Sequence, residues 1–217
     1  MIALLAAAAL TLTPSMIVTK YEATVAKLRE PRVFTLEYTM EQTGSRALEQ
    51  SHRIFRSGAN ERDETIAVNG NRASRPQVRV FRGRRYRYTV KDLSPRTKAY
   101  DFHFIGTRRD GHHLDYVYAL RPKMPAAFRF TQVTIDGLAF LPTTVSFATR
   151  EHGGTGAITF GKRQKWWVVV TATASAQAPG GTAHERMAFY AYRFPPSLPP
   201  STFAVARPLS KLPPTLP

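Results

Sequence analysis

The stretch that decides the fold covers residues 100–120, YDFHFIGTRRDGHHLDYVYAL. Aromatic and apolar side chains recur at every second position on both sides of Arg109-Asp110-Gly111. A period of two is typical of β-strands, and glycine readily takes the left-handed conformation that a three-residue hairpin loop needs at its last position. The stretch therefore predicts a β-hairpin whose loop is Arg109-Asp110-Gly111, with Gly111 left-handed.

The predicted register decides which side chains share a face of this hairpin. The expected cross-strand pairs are Phe104 with Tyr116, Phe102 with Tyr118, and Tyr100 with Leu120. One face is then almost wholly aromatic, and the residues alone leave open whether that face is a dry core or the wall of a ligand cavity. The opposite face should carry Asp101, His103, His113, Asp115, Ile105, Val117 and Ala119.

An amphipathic helix is predicted ahead of the strands. Thr13-Pro14-Ser15 has the character of a helix start, with Thr13 or Ser15 as the N-cap and the proline in the first turn. An apolar stripe follows at intervals of four and three residues, which is the helical period. This stripe consists of Ile17, Tyr21, Val25 and Leu28. Pro31 should end the helix.

The rest of the chain alternates in the manner of short antiparallel strands joined by turns. In the first of them Phe34, Leu36, Tyr38 and Met40 point to one side. Further strands are expected over residues 47–56, 60–68, 128–135, 138–147, 157–160, 166–174 and 182–193. Because helices do not alternate with strands, the pattern predicts a mainly β (α+β) fold: one strongly curved antiparallel sheet, or half-barrel, of about ten to eleven strands. A single domain over residues 14–207 should hold it.

The two ends of the chain differ from the middle. The apolar run Ile2–Leu12 has the length of a signal-peptide core and is too short to span a bilayer. It lacks the usual basic residues in front, so a buried N-terminal helix is the alternative. The prediction is a signal peptide over residues 1–13, and hence a periplasmic or secreted protein. Residues 208–217 are proline-rich and predict an extended tail.

The chain is strongly basic, with a net charge of +16 and a pI near 10.7, and 23 of its 31 basic residues are arginine. Such a surface attracts anions, although arginine usage also follows genomic base composition. Alternation of arginine with apolar residues over 78–90 predicts a hairpin that turns at Gly83. An anion-binding surface is expected there, formed by Arg79, Arg82, Arg84, Arg85 and Arg87. The alternative is a solvated strand face, and export removes nucleic acid from the expected partners.

Neither a catalytic nor a metal-binding motif stands out. The nearest approach to a metal cluster is His103, His112, His113 and Asp115. A zinc site needs three or four converging ligands, and a turn that faces solvent explains these residues. The serines Ser51, which precedes His52, Ser94 and Ser146 lack the Gly-x-Ser-x-Gly context of a nucleophile elbow. With no cysteine in the chain, the sequence predicts a protein that is not an enzyme and holds no cofactor or metal.

Three segments together resemble the LolA-like superfamily of periplasmic lipoprotein carriers and outer-membrane lipoprotein-sorting proteins. They are residues 21–40 (YEATVAKLREPRVFTLEYTM), 51–65 (SHRIFRSGANERDET) and 133–147 (VTIDGLAFLPTTVSF). The resemblance implies an incomplete β-barrel that is apolar on its concave face, with the helix packed over that face. The absence of cysteine sets the chain apart from the lipidated, membrane-anchored receptors of that superfamily.

The resemblance also implies a function. A concave apolar cavity of this kind holds an amphiphile, so the expected protein is an exported carrier for a lipid or for lipoprotein acyl chains, with an anionic membrane surface as a second expected contact. The residues expected to line the cavity are Tyr21, Val25, Phe34, Leu36, Tyr38, Met40, Tyr100, Phe102, Phe104, Tyr116 and Tyr118. Two alternatives stay open: these residues form an ordinary sheet core, or the protein is a non-enzymatic envelope module that docks on anionic lipid or polymer through its arginines.

Overall fold

The computed structural model describes residues 12–44, 47–83, 88–110, 113–150 and 153–204. This part of the chain forms one α-helix, eleven strands and a short 3₁₀ helix, Pro200–Phe203. In chain order the main elements are α1 (Pro14–Lys27), β1 (Val33–Thr43), β2 (Leu48–Ser57), β3 (Asn60–Val68), β4 (Asn71–Phe81), β5 (Tyr100–Asp110), β6 (His113–Pro122), β7 (Phe128–Asp136), β8 (Pro142–Thr149), β9 (Thr155–Arg163), β10 (Trp166–Ala178) and β11 (Gly181–Arg193).

Helix α1 begins where the sequence predicts and ends at Lys27, with Leu28 of the predicted stripe as the C-cap, ahead of the predicted end at Pro31. The Thr13 hydroxyl accepts a hydrogen bond from the Met16 backbone N–H at 3.3 Å, so Thr13 is the N-cap, and a proline occupies the first turn. Of the predicted stripe, Ile17, Tyr21 and Val25 are completely buried. The helix therefore presents one apolar face, and that face lies against the sheet.

All eleven strands belong to one antiparallel sheet in the order β4-β3-β2-β1-β11-β10-β9-β8-β7-β6-β5. Because β1 pairs with β11, the first and last strands meet in the middle, and β4 and β5 become the two edges. Within the described residues these edges do not pair with each other, so the sheet is open. The predicted mainly β half-barrel with a single N-terminal helix is confirmed.

The connection between β4 and β5 joins opposite edges of the sheet, and we call residues 82–99 the crossing segment. It passes on the helix side, because Val90 is buried in the same cluster as the α1 stripe. Ser94 and Pro95 are also buried, and the Tyr21 hydroxyl donates a 2.8 Å hydrogen bond to the Pro95 carbonyl. The helix and the crossing segment together cover part of the inner face.

The predicted register of the central hairpin is wrong by two residues. Phe104 lies opposite Tyr118 instead of Tyr116, and Phe102 lies opposite Leu120. Ile105 is an extra residue in β5, and this bulge shifts the pairing again toward the tip. Between Tyr100 and Phe104 a shift of two keeps the side chains on their predicted face, so the aromatic face survives there with different partners. Beyond the bulge the shift is three, and Tyr116 lies opposite Thr107.

Further pairs in this hairpin change with the register. Tyr100 lies opposite Pro122, and His103 lies opposite Ala119 instead of Val117. Arg109 and Asp110 belong to β5 instead of the loop, and Asp110 pairs with His113. The predicted left-handed Gly111 lies outside the described residues.

The predicted hairpin at Gly83 is also wrong in its described part. Residues 71–81 form β4 as an edge strand, but residues 88–90 are not a strand and enter turns of the crossing segment. Val90 is buried in the helix cluster instead of pairing with β4. Its apolar side chain is removed from water there, which is favourable. Residues 84–87 lie outside the described part of the chain.

The inner face of the sheet carries two hydrophobic clusters. The helix cluster is centred on the α1 stripe and the inner side chains of β6–β10: Tyr116, Tyr118, Leu120, Phe130, Val133, Ile135, Val145, Ile158, Phe160 and Val169. The second cluster, which we call the β1–β2 cluster, consists of Phe34, Leu36 and Ile54, with Tyr38, Phe189, Tyr192 and Phe194 packed against it. The apolar wall therefore continues beyond the strands that α1 covers.

Among the described residues, no helix has both the length and the apolar character needed to cross a membrane. Residues 1–11, which hold most of the predicted signal peptide, lie outside the described part. The same is true of residues 205–217, which include the predicted proline-rich tail.

Candidate ligand-binding site

The residues predicted to line a cavity are divided between the two clusters. Tyr21, Val25, Tyr116 and Tyr118 are buried in the helix cluster, and Tyr100 and Phe102 pack against it. Phe34 and Leu36 are buried in the β1–β2 cluster, while Tyr38 and Met40 are half-buried. Phe104 is 44% exposed at the β5 edge. That these residues bind a ligand stays a prediction.

The part of the inner face beneath α1 is packed by its own side chains. The aromatic rings of β5 and β6 contact one another, with ring centroids of Phe102 and Tyr118 at 6.0 Å and of Phe104 and Tyr118 at 5.6 Å. Tyr21 reaches the same group, 6.0 Å from Phe102. Such tilted and edge-on contacts are the favoured arrangement for aromatic side chains in a core. This half of the inner face is therefore a packed core.

The buried tyrosine hydroxyls of this core are satisfied by the backbone. Tyr118 donates to the Pro14 carbonyl at 2.8 Å, and Tyr21 donates to Pro95. Burial, assisted by the neighbouring Tyr116, raises the pKa of Tyr118 to about 12. Burial likewise raises the pKa of Tyr21 above its ordinary value, against the opposing hydrogen bond with Ser94. Both hydroxyls stay neutral donors that tie α1 and the crossing segment in place.

A narrow crevice lies between the two clusters, and sequence reasoning missed most of its walls. It contains a cavity of about 30 Å³. We call it the mouth crevice; its side chains are Glu30, Pro31, Phe34, Tyr88, Thr89, Val90, Trp167, Val168, Val169 and Tyr192. The alternation of residues in β10 could have indicated two of these walls. Trp167 and Val169 are two residues apart, so they share a face of the strand, and both contact the helix cluster.

Besides the buried Val90, polar contacts hold the crossing segment to α1 and to the residues that follow it. Arg96 donates from Nε to the Glu22 carboxylate at 2.8 Å, and the Thr97 backbone N–H donates to the same carboxylate at 2.6 Å. The Lys91 backbone N–H donates to Glu30 at 2.9 Å. Partial burial alone would raise the pKa of Glu22, but the hydrogen bonds from Arg96 and Thr97 and the Arg96 charge outweigh it and lower the pKa below 4.5.

Glu22→Gln should reduce stability by about 1–2 kcal/mol near neutral pH, because a charged acceptor of two hydrogen bonds is lost. A carboxylate whose pKa is lowered by folding stabilises the protein above its unfolded pKa, and that contribution is lost as the pH falls through the folded pKa. The difference between the parent and the variant should therefore shrink below about pH 4. Urea unfolding from pH 3 to 7 measures it, and a constant difference over that range would contradict the assignment.

The predicted anion-binding arginines are only partly described. Arg79 is exposed on the edge strand β4, where it lies opposite Asp63 of β3. Arg82 is exposed at the start of the crossing segment, and its Nη2 donates to the Phe203 carbonyl at 3.5 Å. Arg84, Arg85 and Arg87 lie outside the described residues. The structure therefore leaves the anion-binding surface as a prediction.

His52 has both ring nitrogens engaged on the inner face of β2. Its Nδ1 lies 2.9 Å from Asp63 Oδ1, and its Nε2 lies 3.2 Å from Gln50 Oε1. The ring stacks on Tyr38, with centroids 4.6 Å apart. Ser51 is the next residue along the strand and so faces the opposite side. The histidine therefore packs as part of the wall and does not face that serine.

Of the histidines named as the nearest approach to a metal cluster, only His103 has a described side chain. No group of three or more His, Asp or Glu side chains suited to a metal ion occurs in the described residues. Asp115 is buried, and its Oδ2 accepts a 3.3 Å hydrogen bond from the Thr143 hydroxyl. The side chains of His112 and His113 lie outside the described part.

Comparisons with known proteins bear on the fold. No protein-family description matches the chain, and no curated protein matches its sequence. Among solved structures, the chain is similar to a LolA superfamily protein from Nitrosomonas europaea, with a TM-score of 0.48 and 12% identity over 87% of this chain and 97% of that chain. It is also similar to a DUF1329 family protein from Desulfovibrio piger, with a TM-score of 0.48 and 10% identity over 86% and 97%.

A third similar structure is an outer membrane lipoprotein-sorting protein domain from Vibrio parahaemolyticus, with a TM-score of 0.45 and 16% identity over 86% of this chain and 94% of that chain. At these identities the likeness concerns the fold alone. The architecture itself, an open antiparallel sheet with one helix across its inner face, is the one that the sequence predicts.

Proposed function

We propose that the chain is an exported, non-enzymatic carrier or binding protein for an amphiphile, a lipid or a lipoprotein acyl chain, that works in the periplasm or outside the cell. The apolar tail of the ligand enters the mouth crevice between the β1–β2 cluster and the helix cluster. The observation that carries this proposal is the apolar wall that continues past α1 onto β1 and β11.

The lining of the crevice suits an alkyl chain better than a polar ligand. Phe34, Trp167, Val169 and Tyr192 supply apolar walls, while Glu30 and Thr89 lie among the crevice residues as polar groups. Apolar pockets with a few polar groups are the usual form of small-molecule sites. Each methylene that leaves water for such walls gains about 0.8 kcal/mol.

Binding requires the crevice to widen, because a cavity of about 30 Å³ holds no alkyl chain. The crossing segment is the element suited to move. Tyr88 at the start of its second described part is 59% exposed and Thr89 is half-buried, whereas Val90 is buried in the helix cluster and the sheet beneath is held by continuous strand pairing. Residues with few buried contacts move at little cost. The ligand would therefore displace Tyr88 and Thr89 from the wall and leave Val90 in place.

The two tryptophans, Trp166 and Trp167, provide a direct test, because Trp167 lines the crevice and Trp166 precedes it. Dibromostearate should quench their fluorescence in a saturable titration, since bromine quenches only at contact range. Tyr88→Ala should weaken the affinity about three- to tenfold, because it removes an aromatic wall at the mouth. Tyr88 is 59% exposed, so the variant should fold normally.

Tyr190→Ala is the matched control. Tyr190 is 40% exposed on β11, and its pairing with Glu37 puts it on the outer face of the sheet. The Tyr190→Ala variant should bind dibromostearate with the affinity of the parent. Absence of saturable quenching in the parent, together with no lipid retained in native mass spectrometry, would refute the carrier proposal.

The small enclosed volume favours one alternative function, an envelope module that docks on anionic lipid or polymer through its arginines. Arg72, Arg75 and Arg79 are exposed along the edge strand β4 and would make the contact. In the same experiments this function would give binding to anionic vesicles that falls steeply with salt, and no quenching by dibromostearate.

A further inference from the structure

A second concave site adjoins the mouth crevice and differs from it in charge. It is a groove of about 840 Å³ at the end of the sheet, where residues 29–33, the β9–β10 turn (residues 164–166) and residues 194–196 meet. Trp166 and Phe194 form its aromatic wall, with ring centroids 6.0 Å apart. We call it the basic groove, because its charged side chains are Arg29, Arg32 and Lys165 against the single carboxylate of Glu30.

The positive charge of the basic groove is not neutralised by its surroundings. Arg29, Arg32 and Lys165 are exposed, and none of them forms an ion pair with a carboxylate of the described residues. The Glu30 carboxylate already accepts the Lys91 backbone N–H at 2.9 Å. The three cations outnumber the one carboxylate of the groove and repel one another. An anion that enters the groove is therefore attracted by all three.

The aromatic wall holds an unused donor. The Trp166 Nε1 is buried and has no hydrogen-bond acceptor among the described residues. A buried N–H without an acceptor costs free energy, and such groups are rare enough to need a reason. Lys165 Nζ lies 5.2 Å from the Trp166 ring centroid, so the indole already sits beside a cation of the groove. An anion bound by Lys165 would therefore lie beside the Trp166 ring.

The groove and the crevice share part of their walls, because Glu30 and Pro31 line both. Trp166 and Trp167 are consecutive in β10 and point to opposite faces of the sheet, so the two sites meet at Glu30 and Pro31. A molecule with its charged end in the basic groove could therefore place its apolar end in the crevice. The guanidinium fork of arginine matches the oxygens of a phosphate in geometry and charge.

We propose that the basic groove binds the phosphate head group of the amphiphile whose chain enters the mouth crevice, with Arg29, Arg32 and Lys165 as its anchors. This inference rests on the proposed carrier function and narrows its ligand to a phosphorylated amphiphile.

Three probes separate the head group from the chain: dodecyl phosphate, the uncharged dodecyl maltoside and inorganic phosphate, the first two below their micelle-forming concentrations. Titration calorimetry measures each affinity. The parent should bind dodecyl phosphate more tightly than either of the others. Arg32→Glu combined with Lys165→Glu should weaken dodecyl phosphate about tenfold or more and change dodecyl maltoside by less than about twofold.

Arg121→Glu combined with Arg150→Glu is the matched control. This variant makes the same change in net charge on exposed arginines away from the β9–β10 turn, and it should leave dodecyl phosphate binding within about twofold of the parent at physiological salt. Equal losses in both double variants would mean a diffuse charge effect and would overturn the assignment of the groove.

The remaining outcomes distinguish this inference from the function on which it rests. If the groove variant binds dodecyl phosphate like the parent while both dodecyl probes still bind, the groove assignment fails and the carrier function stands. If inorganic phosphate binds as tightly as dodecyl phosphate, the groove holds a free anion and the head-group assignment is overturned. If neither dodecyl probe binds the parent, the carrier function itself fails.

Discussion

Replacing Arg56 with alanine should lower the free energy of unfolding by about 3–5 kcal/mol, because the Glu61 carboxylate would be left buried without its partner. Arg56 Nη1 lies 3.1 Å from Glu61 Oε2, and the two side chains are only 4% and 11% exposed. They face each other across the β2–β3 hairpin. Urea unfolding followed by tryptophan fluorescence measures the loss.

A second pair of the same residue types supplies the matched control. Glu41 and Arg186 also lie opposite each other on paired strands, at 3.9 Å, but their side chains are 51% and 61% exposed. Arg186→Ala should therefore cost no more than about 0.5 kcal/mol. A loss at Arg56 no larger than the loss at Arg186 would show that burial does not govern the strength of this pair.

The double variant Arg56→Met with Glu61→Leu separates the value of the pair from the penalty of an isolated charge. Apolar residues of similar volume usually replace a buried ion pair at little cost. We expect this variant to recover most of the stability that Arg56→Ala loses. A double variant as unstable as Arg56→Ala would mean that the pair itself contributes the stability.

Strand positions could be predicted from the sequence because alternate burial is a local property. Strand β3 was expected over residues 60–68 and occupies Asn60–Val68. The register of β5 and β6 could not be predicted in the same way, because one extra residue, Ile105, changes it. Ile105 continues the apolar run, and the only available signal was the neighbouring Gly106, since glycine within a strand often accompanies a bulge.

The path of the crossing segment depends on interactions between distant parts of the chain. Nothing in β4 or β5 indicates that they form opposite edges of one sheet, because that order arises when β1 pairs with β11. The chain after β4 has to reach the opposite edge of the sheet, and residues 88–90 lie outside any strand. The alternation at residues 86–90 predicted a strand, whereas Val90 instead packs beneath the helix.

The candidate site was the least predictable part for the same reason. The mouth crevice combines Phe34, Val90, Trp167 and Tyr192, which come from four separate parts of the chain. Each residue was recognised as apolar and inward-pointing or as part of a strand, but only the topology brings them together. The aromatic face of the hairpin β5–β6 is packed core instead of a cavity wall, because α1 lies over it.

Tyr21→Ala should be as damaging as the loss of Arg56, at about 3–5 kcal/mol, because it removes a large aromatic side chain from a closed core. Tyr21 is completely buried, contacts Phe102 and donates to the Pro95 carbonyl, so it joins the helix, the sheet and the crossing segment. Tyr21→Phe removes only the hydroxyl and should cost about 1–2 kcal/mol.

Met16→Ala tests whether the loss comes from the buried ring or from the helix itself. Met16 is 46% exposed on α1, and alanine is the better helix former, so this variant should be nearly neutral. If Tyr21→Ala loses much more than Tyr21→Phe, packing holds the helix on the sheet; equal losses would assign that role to the hydrogen bond with Pro95. In the first case, hydrogen exchange of Tyr21→Ala should increase in α1 and in residues 90–97 together, because one side chain anchors both against the inner face.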